Sequence, residues 1–417
     1  MATLGSRCKL MAALAAAGAF VALPVSTALA ATPALAATAR PGPLPPSSSL
    51  LCVPQDGGLY GVSAATTATY FAVGNSNGGA AVFNYGTAPL TGVPAAPSYL
   101  RGVAATSSTS AVAVGYTVTG GRASILIMTG TTSTATQVTG VPVFGSSTSS
   151  YLYGVAVSSP TNAWAVGYTV TGGTIVPLVL HGTGTGLSTW VQVPTPTTLP
   201  VGSYLCGVTT TTVSPGATHP SSFAVGGYVS GTVTNSLILY GLGPSVTANW
   251  AATAFLPSLS VVDSYLKGVA AEPTSATTVA AYAVGSTTTN TPHRGHPLIE
   301  VWNGTTWAQA TPVPDPGTTA SRLYSVTIRP TSPSILGKSD VWADGFTRSG
   351  STYSTFIVHD LVYKGTTGWT QQTSPNPEPN DALFGVSAST SPSSAWAVGR
   401  QAPTGPYLTE QWNGSAW

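Results

Sequence analysis

The chain has 417 residues, of which 43% are apolar and only 6% charged, against about a quarter charged in an average soluble domain. That excludes ordinary disorder, which pairs low hydrophobicity with high net charge, and leaves no Lys/Arg cluster of the kind that holds nucleic acid or an anionic membrane surface. Gly, Pro, Ser and Thr take the place of the charges and, with Val and Tyr, favour short strands and turns over long helices, so the class is all-β.

In chain order, residues 1–30 have the layout of a secretory signal. Arg7 and Lys9 precede an apolar run from Leu10 to about Leu23, and Ala28-Leu29-Ala30 offers a small-residue cleavage site. The run is shorter than the roughly 20 residues of a spanning helix, so no integral membrane segment is expected after signal removal. The protein is then secreted or held at the cell surface. Losing Arg7 and Lys9 leaves eleven basic against eleven acidic residues, a formally neutral mature chain. Residues 31–48 are Ala/Pro-rich without period and read as a linker. A single domain is expected over 49–417.

That domain is a set of seven repeats. Each opens on L-x-G-V, with leucines at Leu59, Leu100, Leu152, Leu205, Leu266, Leu323 and Leu383, and continues to an A-V-G closed by Gly74, Gly115, Gly167, Gly226, Gly285, Gly345 or Gly399. Both motifs alternate with period two and read as strands of a hairpin. A third apolar strand follows, such as Pro297 to Trp302, then a tight turn such as Asn303-Gly304-Thr305-Thr306, and a fourth strand that starts near an aromatic such as Trp190 or Trp307. Four strands in 41 to 61 residues is the spacing of a β-propeller blade rather than of a solenoid coil. The expectation is a seven-bladed β-propeller of four-stranded antiparallel blades. Because the last repeat stops at Trp417 after its turn, the N-terminal strand at about residues 49–54 is expected to complete that blade and close the ring. Cys52 and Cys206, far apart in repeat order, are expected to be free, buried thiols.

With L-x-G-V, W-A-V-G and W-N-G-x-x-W in view, residues 49–417 resemble exported bacterial β-propeller repeat proteins, a group similar in appearance to kelch and to the Asp-box propellers of sialidase-like and photosystem-assembly proteins. The Asp-box turn would carry Asp-x-Gly-x-Thr-Trp, whereas the same slot here holds Asn303 in Trp302-Asn303-Gly304-Thr305-Thr306-Trp307 and Asn413 in Trp412-Asn413-Gly414-Ser415-Ala416-Trp417. The resemblance therefore implies a fold and not a glycosidase activity.

Slots that vary inside a fixed repeat frame are free to carry function. The residue after each leucine runs Tyr60, Arg101, Tyr153, Cys206, Lys267, Tyr324, Phe384. If L-x-G-V is the innermost strand, Tyr60, Arg101, Tyr153, Lys267, Tyr324 and Phe384 form a ligand-binding ring at one channel mouth, where aromatic faces and two cations suit a sugar or small anion. His293 and His296 share one loop but have no adjacent acid, so no metal site is expected. Glu300 and Glu410 occupy one third-strand slot and are expected on the outer surface, too far apart for a glycosidase carboxylate pair. Arg294, Arg348 and Arg400 lie on comparable loops. Asp344 replaces the valine of A-V-G, and Ser325, replacing a glycine in the same repeat, is its expected local partner. No nucleophile elbow, phosphate loop, dinucleotide fingerprint or cofactor motif is present in the sequence. The resulting expectation is a monomeric exported binding or interaction module with a glycan or protein ligand, rather than an enzyme. Alternatives are a polysaccharide-directed hydrolase or lyase with its site at the channel mouth, and a structural surface protein.

Overall fold

The computed structural model describes Cys52 and residues 57–417, apart from 77–78, 85–91, 95–96, 212–219, 242–249, 253–262, 275–278, 290–293, 331–337, 364–367, 390, 392–393 and 402–406. The expected signal (1–30) and linker (31–48) lie outside the described residues.

Nearly all the described residues are strand or turn. The first sheet has three strands, β1 (Gly58–Ala64), β2 (Tyr70–Ser76) and β3 (Gly79–Asn84). Three four-stranded sheets follow: β4 (Ser98–Ala105), β5 (Ser110–Thr119), β6 (Arg122–Thr131) and β7 (Ala135–Gln137); β8 (Thr148–Ser159), β9 (Asn162–Thr171), β10 (Thr174–Thr183) and β11 (Thr189–Val193); β12 (Ser203–Thr210), β13 (Ser222–Ser230), β14 (Val233–Gly241) and β15 (Trp250–Ala252). Two more units of four are β16 (Asp263–Pro273), β17 (Val279–Thr288), β18 (Gly295–Trp302), β19 (Trp307–Gln309), and β20 (Ala320–Pro330), β21 (Lys338–Ser349), β22 (Thr352–Tyr363), β23 (Thr370–Gln372). A lone parallel pairing of Gly295 with Ala320 links them into one eight-stranded sheet. The last sheet has β24 (Ala382–Ala388), β25 (Ala395–Arg400) and β26 (Leu408–Trp412).

This is a β-propeller, and among the described residues it has five four-stranded antiparallel blades, with a three-stranded sheet at each end of the chain, instead of seven four-stranded blades. The difference lies at the outermost strand. That strand pairs on one side only, and β7, β15, β19 and β23 span just three residues each, so the repeat pattern constrains it least. Residues 85–91 after β3, and 49–51 and 53–56 before β1, lie outside the described residues.

Cys52 corrects the sequence reading twice. It forms a disulfide with Cys206 of β12, Cα to Cα 5.2 Å, so the two are not free thiols. Cys206 belongs to an inner strand, which puts Cys52 at the central cavity and not in an outer strand of the last repeat. Separation in repeat order misled because the inner strands converge on one cavity, which Cys52 lines together with Cys206.

The repeat residues have local reasons. In β8 and β9, Leu152 pairs with Gly167 and Gly154 with Val166, so Tyr153 between them is bulged out of the ladder. The same register shift falls after the leucine in all seven inner strands. A bulge bends its strand and re-aims the extra side chain. Gly167 must lack a Cβ because the carbonyl of Tyr151 occupies that space, and a Cβ on Gly154 would meet the Cys206 carbonyl of the next inner strand at 3.0 Å. Similar approaches link Gly102 to Tyr153, Gly207 to Lys267, Gly268 to Tyr324 and Gly385 to Tyr60. Between sheets the core is apolar: Val112, Val114 and Ile127 pack on Leu152, Ala163 and Leu178, and Trp164 and Val179 on Leu205, Ala224 and Trp250.

The turn after the third strand shows why asparagine serves in the Asp-box slot. Asn303 Oδ1 accepts from the backbone N–H of Thr305 (2.9 Å) and Thr306 (3.0 Å), and Asn413 Oδ1 does the same for Ser415 and Ala416. A short side-chain acceptor closes the turn whether or not it is charged.

Candidate functional site

The seven bulged slots converge. Tyr60, Arg101, Tyr153, Cys206, Lys267, Tyr324 and Phe384 all line one central cavity of about 160 Å3, together with Cys52. The structure thus brings together every residue of the ring read from the sequence. Apart from Tyr324 they are buried, because neighbouring slots pack edge to edge. Tyr60 stacks on Phe384 (centroids 5.7 Å), and Phe384 meets the edge of Tyr324 at 5.5 Å.

The two cations of the ring differ in surroundings. The Arg101 guanidinium lies 4.2 Å from the centre of the Tyr60 ring and 5.4 Å from that of Tyr99, and its Nη2 donates to Tyr116 Oη at 3.2 Å. Burial alone would lower its pKa, but the phenols of Tyr116 and Tyr60 outweigh that and leave it raised, so Arg101 is a fixed cation. Lys267 has its Nζ 4.8 Å from the Tyr265 ring. Burial, helped by the charge of Arg322, brings its pKa down from 10.5 to about 7. Near neutral pH a substantial share of this amine is therefore neutral and basic.

Phenols complete the mouth. Tyr153 Oη and Tyr168 Oη are 3.2 Å apart, and burial holds the Tyr153 phenol well above its usual pKa. Burial, with Tyr265 next in effect, likewise raises Tyr324, which hydrogen-bonds Arg322. Both phenols are proton donors at any ordinary pH.

Sequence reasoning missed a second tier: Tyr99, Tyr116, Tyr151, Tyr168, Tyr265 and Arg322. These occupy the residue before each leucine or the residue after each closing glycine, and the ladder pairs the two slots, Tyr99 with Tyr116 and Tyr151 with Tyr168. Tyr116 stacks at 4.9 Å on Tyr99 and meets Tyr151 edge-on at 4.9 Å. The signal was present, since both slots vary within the frame as the ring slot does.

The acids lie elsewhere. Glu300 and Glu410, expected on the outer surface, are instead 5% and 4% exposed, Glu300 on β18 inside its sheet and Glu410 on β26 at the edge of the last described sheet. Burial raises their pKa values to about 7 and about 8, the latter with help from Asp381. Asp344 is fully buried, and its pKa is held well above the usual carboxylate range by burial and then by Glu410. Ser325 pairs with it across the ladder, and the backbone groups of Ser325 and Gly385 partly offset the shift. None of these carboxyls lines the cavity, and among the described residues no carboxylate does. Arg348 donates to the Gly350 carbonyl of its own turn at 2.8 Å, and Arg294 pairs at 2.8 Å with Asp315 of the connection before β20. His293 lies outside the described residues, and among those described no group of three or more His, Cys, Asp or Glu is arranged to hold a metal ion. No described helix is long and apolar enough to cross a membrane.

No family model matches the chain, and no curated protein matches it. Among solved structures, the chain is similar to a polysaccharide lyase, an ulvan lyase bound to -[GlcA(1-4)Rha3S]-, with 8% identity, a TM-score of 0.53, and 87% of this chain covered against 95% of that one. A second structure of a lyase of that family gives 0.49 at 8% identity over the same shares. The Trypanosoma rangeli sialidase in complex with the inhibitor DANA gives 0.42 at 11% identity, over 74% of this chain and 54% of that one, too slight to argue from. The first likeness shows the β-propeller fold. The expectation that the chain is not an enzyme does not stand beside it: the solved protein that shares this fold is a polysaccharide lyase, so thinly spread acids and histidines are no ground for setting catalysis aside.

Proposed function

We propose that this chain is an exported enzyme that cleaves an acidic polysaccharide by β-elimination at the mouth of the central cavity. The observation that carries the reading is Lys267, an amine with a pKa near 7 on a cavity whose described lining holds no carboxylate. Hydrolysis of a glycosidic bond calls for two carboxyl groups across one sugar. Elimination from a uronate calls for a cation on the sugar carboxylate, a neutral base for the proton beside it, and an acid for the leaving oxygen. Arg101 and Arg322 are the cations, Lys267 the base and Tyr324 the acid. Lys267 Nζ takes the C5 proton, the C4–O4 bond breaks as the C4–C5 double bond forms, and the phenol gives its proton to O4. Tyr60, Tyr153 and Phe384 supply the aromatic surface for the sugar rings.

Three further observations support the setting. A disulfide between Cys52 and Cys206 suits export, since such bonds persist in oxidising compartments. The seating of Gly385 on Tyr60 and Gly61 supports a closed ring of seven units. The solved lyase that shares the fold is bound to a GlcA-containing ligand, which fits an acidic sugar here. Mass spectrometry of digestion products tests the reading: elimination yields fragments lighter by one water than those of hydrolysis. Fragments carrying the added water, or intact polymer across a panel of uronate polysaccharides, would overturn it.

A further inference from the structure

Away from the cavity, the end of β17, the start of β18 and the segment leading to β20 bring a hydroxyl, an imidazole and a carboxylate into one hydrogen-bonded chain. His296 Nδ1 lies 2.7 Å from Asp315 Oδ2. Arg294 Nη2 holds the other oxygen of that carboxylate at 2.8 Å and the Asp315 carbonyl at 3.0 Å, which fixes the acid in place. With Nδ1 donating to the carboxylate, the lone pair of the neutral imidazole is on Nε2. Thr289 Oγ1 stands 3.4 Å from that nitrogen and 3.5 Å from the Arg294 carbonyl, to which it can also donate. The imidazole is 31% exposed and the carboxylate 24%, so a solute reaches both.

We propose that Thr289, His296 and Asp315 form a second catalytic centre, an acyl-transfer site that hydrolyses small O-acyl esters of the kind carried on saccharide hydroxyls. The roles follow the hydroxyl–imidazole–carboxylate logic of nucleophilic catalysis. Thr289 Oγ forms a bond to the ester carbonyl carbon while its proton passes to His296 Nε2. The bond to the alkoxy oxygen breaks, and that oxygen takes the proton from Nε2 and leaves as the alcohol. Water then attacks the acyl-threonine, giving a proton to Nε2, which returns it to Thr289 Oγ as the carboxylic acid departs. Asp315 holds the imidazole in place throughout, with Arg294 the adjacent cation. The step uses neither Lys267 nor Arg101, so it stands or falls apart from the elimination.

The full chain is assayed with p-nitrophenyl acetate, alongside Thr289→Ala, Thr289→Ser, His296→Asn and Asp315→Asn, with acid-quenched peptide mapping for a transferred acetyl group. The expected result is turnover with an acetyl group on Thr289, a loss of tenfold or more in Thr289→Ala, His296→Asn and Asp315→Asn, and retention in Thr289→Ser, which separates chemistry from folding. No turnover by the wild type, rates unchanged by the three disabling substitutions, or acetyl groups only at other residues would overturn the proposal.

Discussion

Arg101 and Lys267 occupy the same slot of two different repeats, each on the bulge of its own inner strand, and yet are chemically opposite. Arg101 sits among Tyr60, Tyr99 and Tyr116, which keep it charged. Lys267 sits beside another cation, and burial takes its proton near pH 7. A repeat frame sets where a side chain points, and the neighbours in the flanking slots set what it does. On the proposed reading, Arg101 is the fixed positive charge that meets an anion and Lys267 is the base.

The largest test of that contrast is Lys267→Met, which keeps the volume and removes the amine. Turnover should fall about a hundredfold or more, the usual loss when a general base is deleted, while the melting temperature holds or rises because a desolvated cation has gone. A variant with near-normal turnover would break the comparison at its base. Next comes pH. Below 7 the rate should fall about tenfold per unit as Lys267 takes up its proton, and a rate flat from pH 5 to 8 would contradict the assigned base. Stability moves with it: the folded pKa is lowered from 10.5 to about 7, so this contribution is full above 10.5 and is lost as pH falls through 7.

Arg101→Met should be milder in chemistry and harsher in packing. A buried cation over an aromatic ring contributes about 1–2 kcal/mol, so KM for an acidic oligosaccharide should rise about tenfold with kcat little changed, and the melting temperature should drop. An unchanged KM would move the anion site elsewhere. The smallest effect is expected outside the cavity lining, at Glu410→Gln. Glu410 has a folded pKa raised from 4.5 to about 8, so it carries no penalty below 4.5 and destabilises increasingly as pH rises through 8. The variant should match the wild type at pH 4 and melt higher at pH 9. Equal melting curves at both would show that Glu410 is solvated after all.

Much of this was legible in the sequence, for stated reasons. The leucines and glycines of the repeat mark a bulged inner hairpin that tolerates little else, as the space behind Gly167 shows, so the propeller class and the inward ring could be read directly. The outer strands could not, because an edge strand of three residues makes few contacts and leaves little pattern. The Cys52–Cys206 bond was hidden for another reason: repeat order measures distance around the ring, and proximity at the axis has no signature in spacing. Glu300 and Glu410 were misplaced because a charged residue on an apolar strand was read by its chemistry rather than by its slot, which is buried in both repeats. The partner of His296, Asp315, comes from a connection nineteen residues on, where no period links the two.

The most direct measurement follows the ultraviolet absorbance of unsaturated sugar product when wild type and Lys267→Met are each given a uronate polysaccharide. A steady rise is expected for the wild type, faster above pH 7, and a near-flat trace for the variant. Equal rises for the two proteins, or chain cleavage by the wild type without any rise in absorbance, would contradict it.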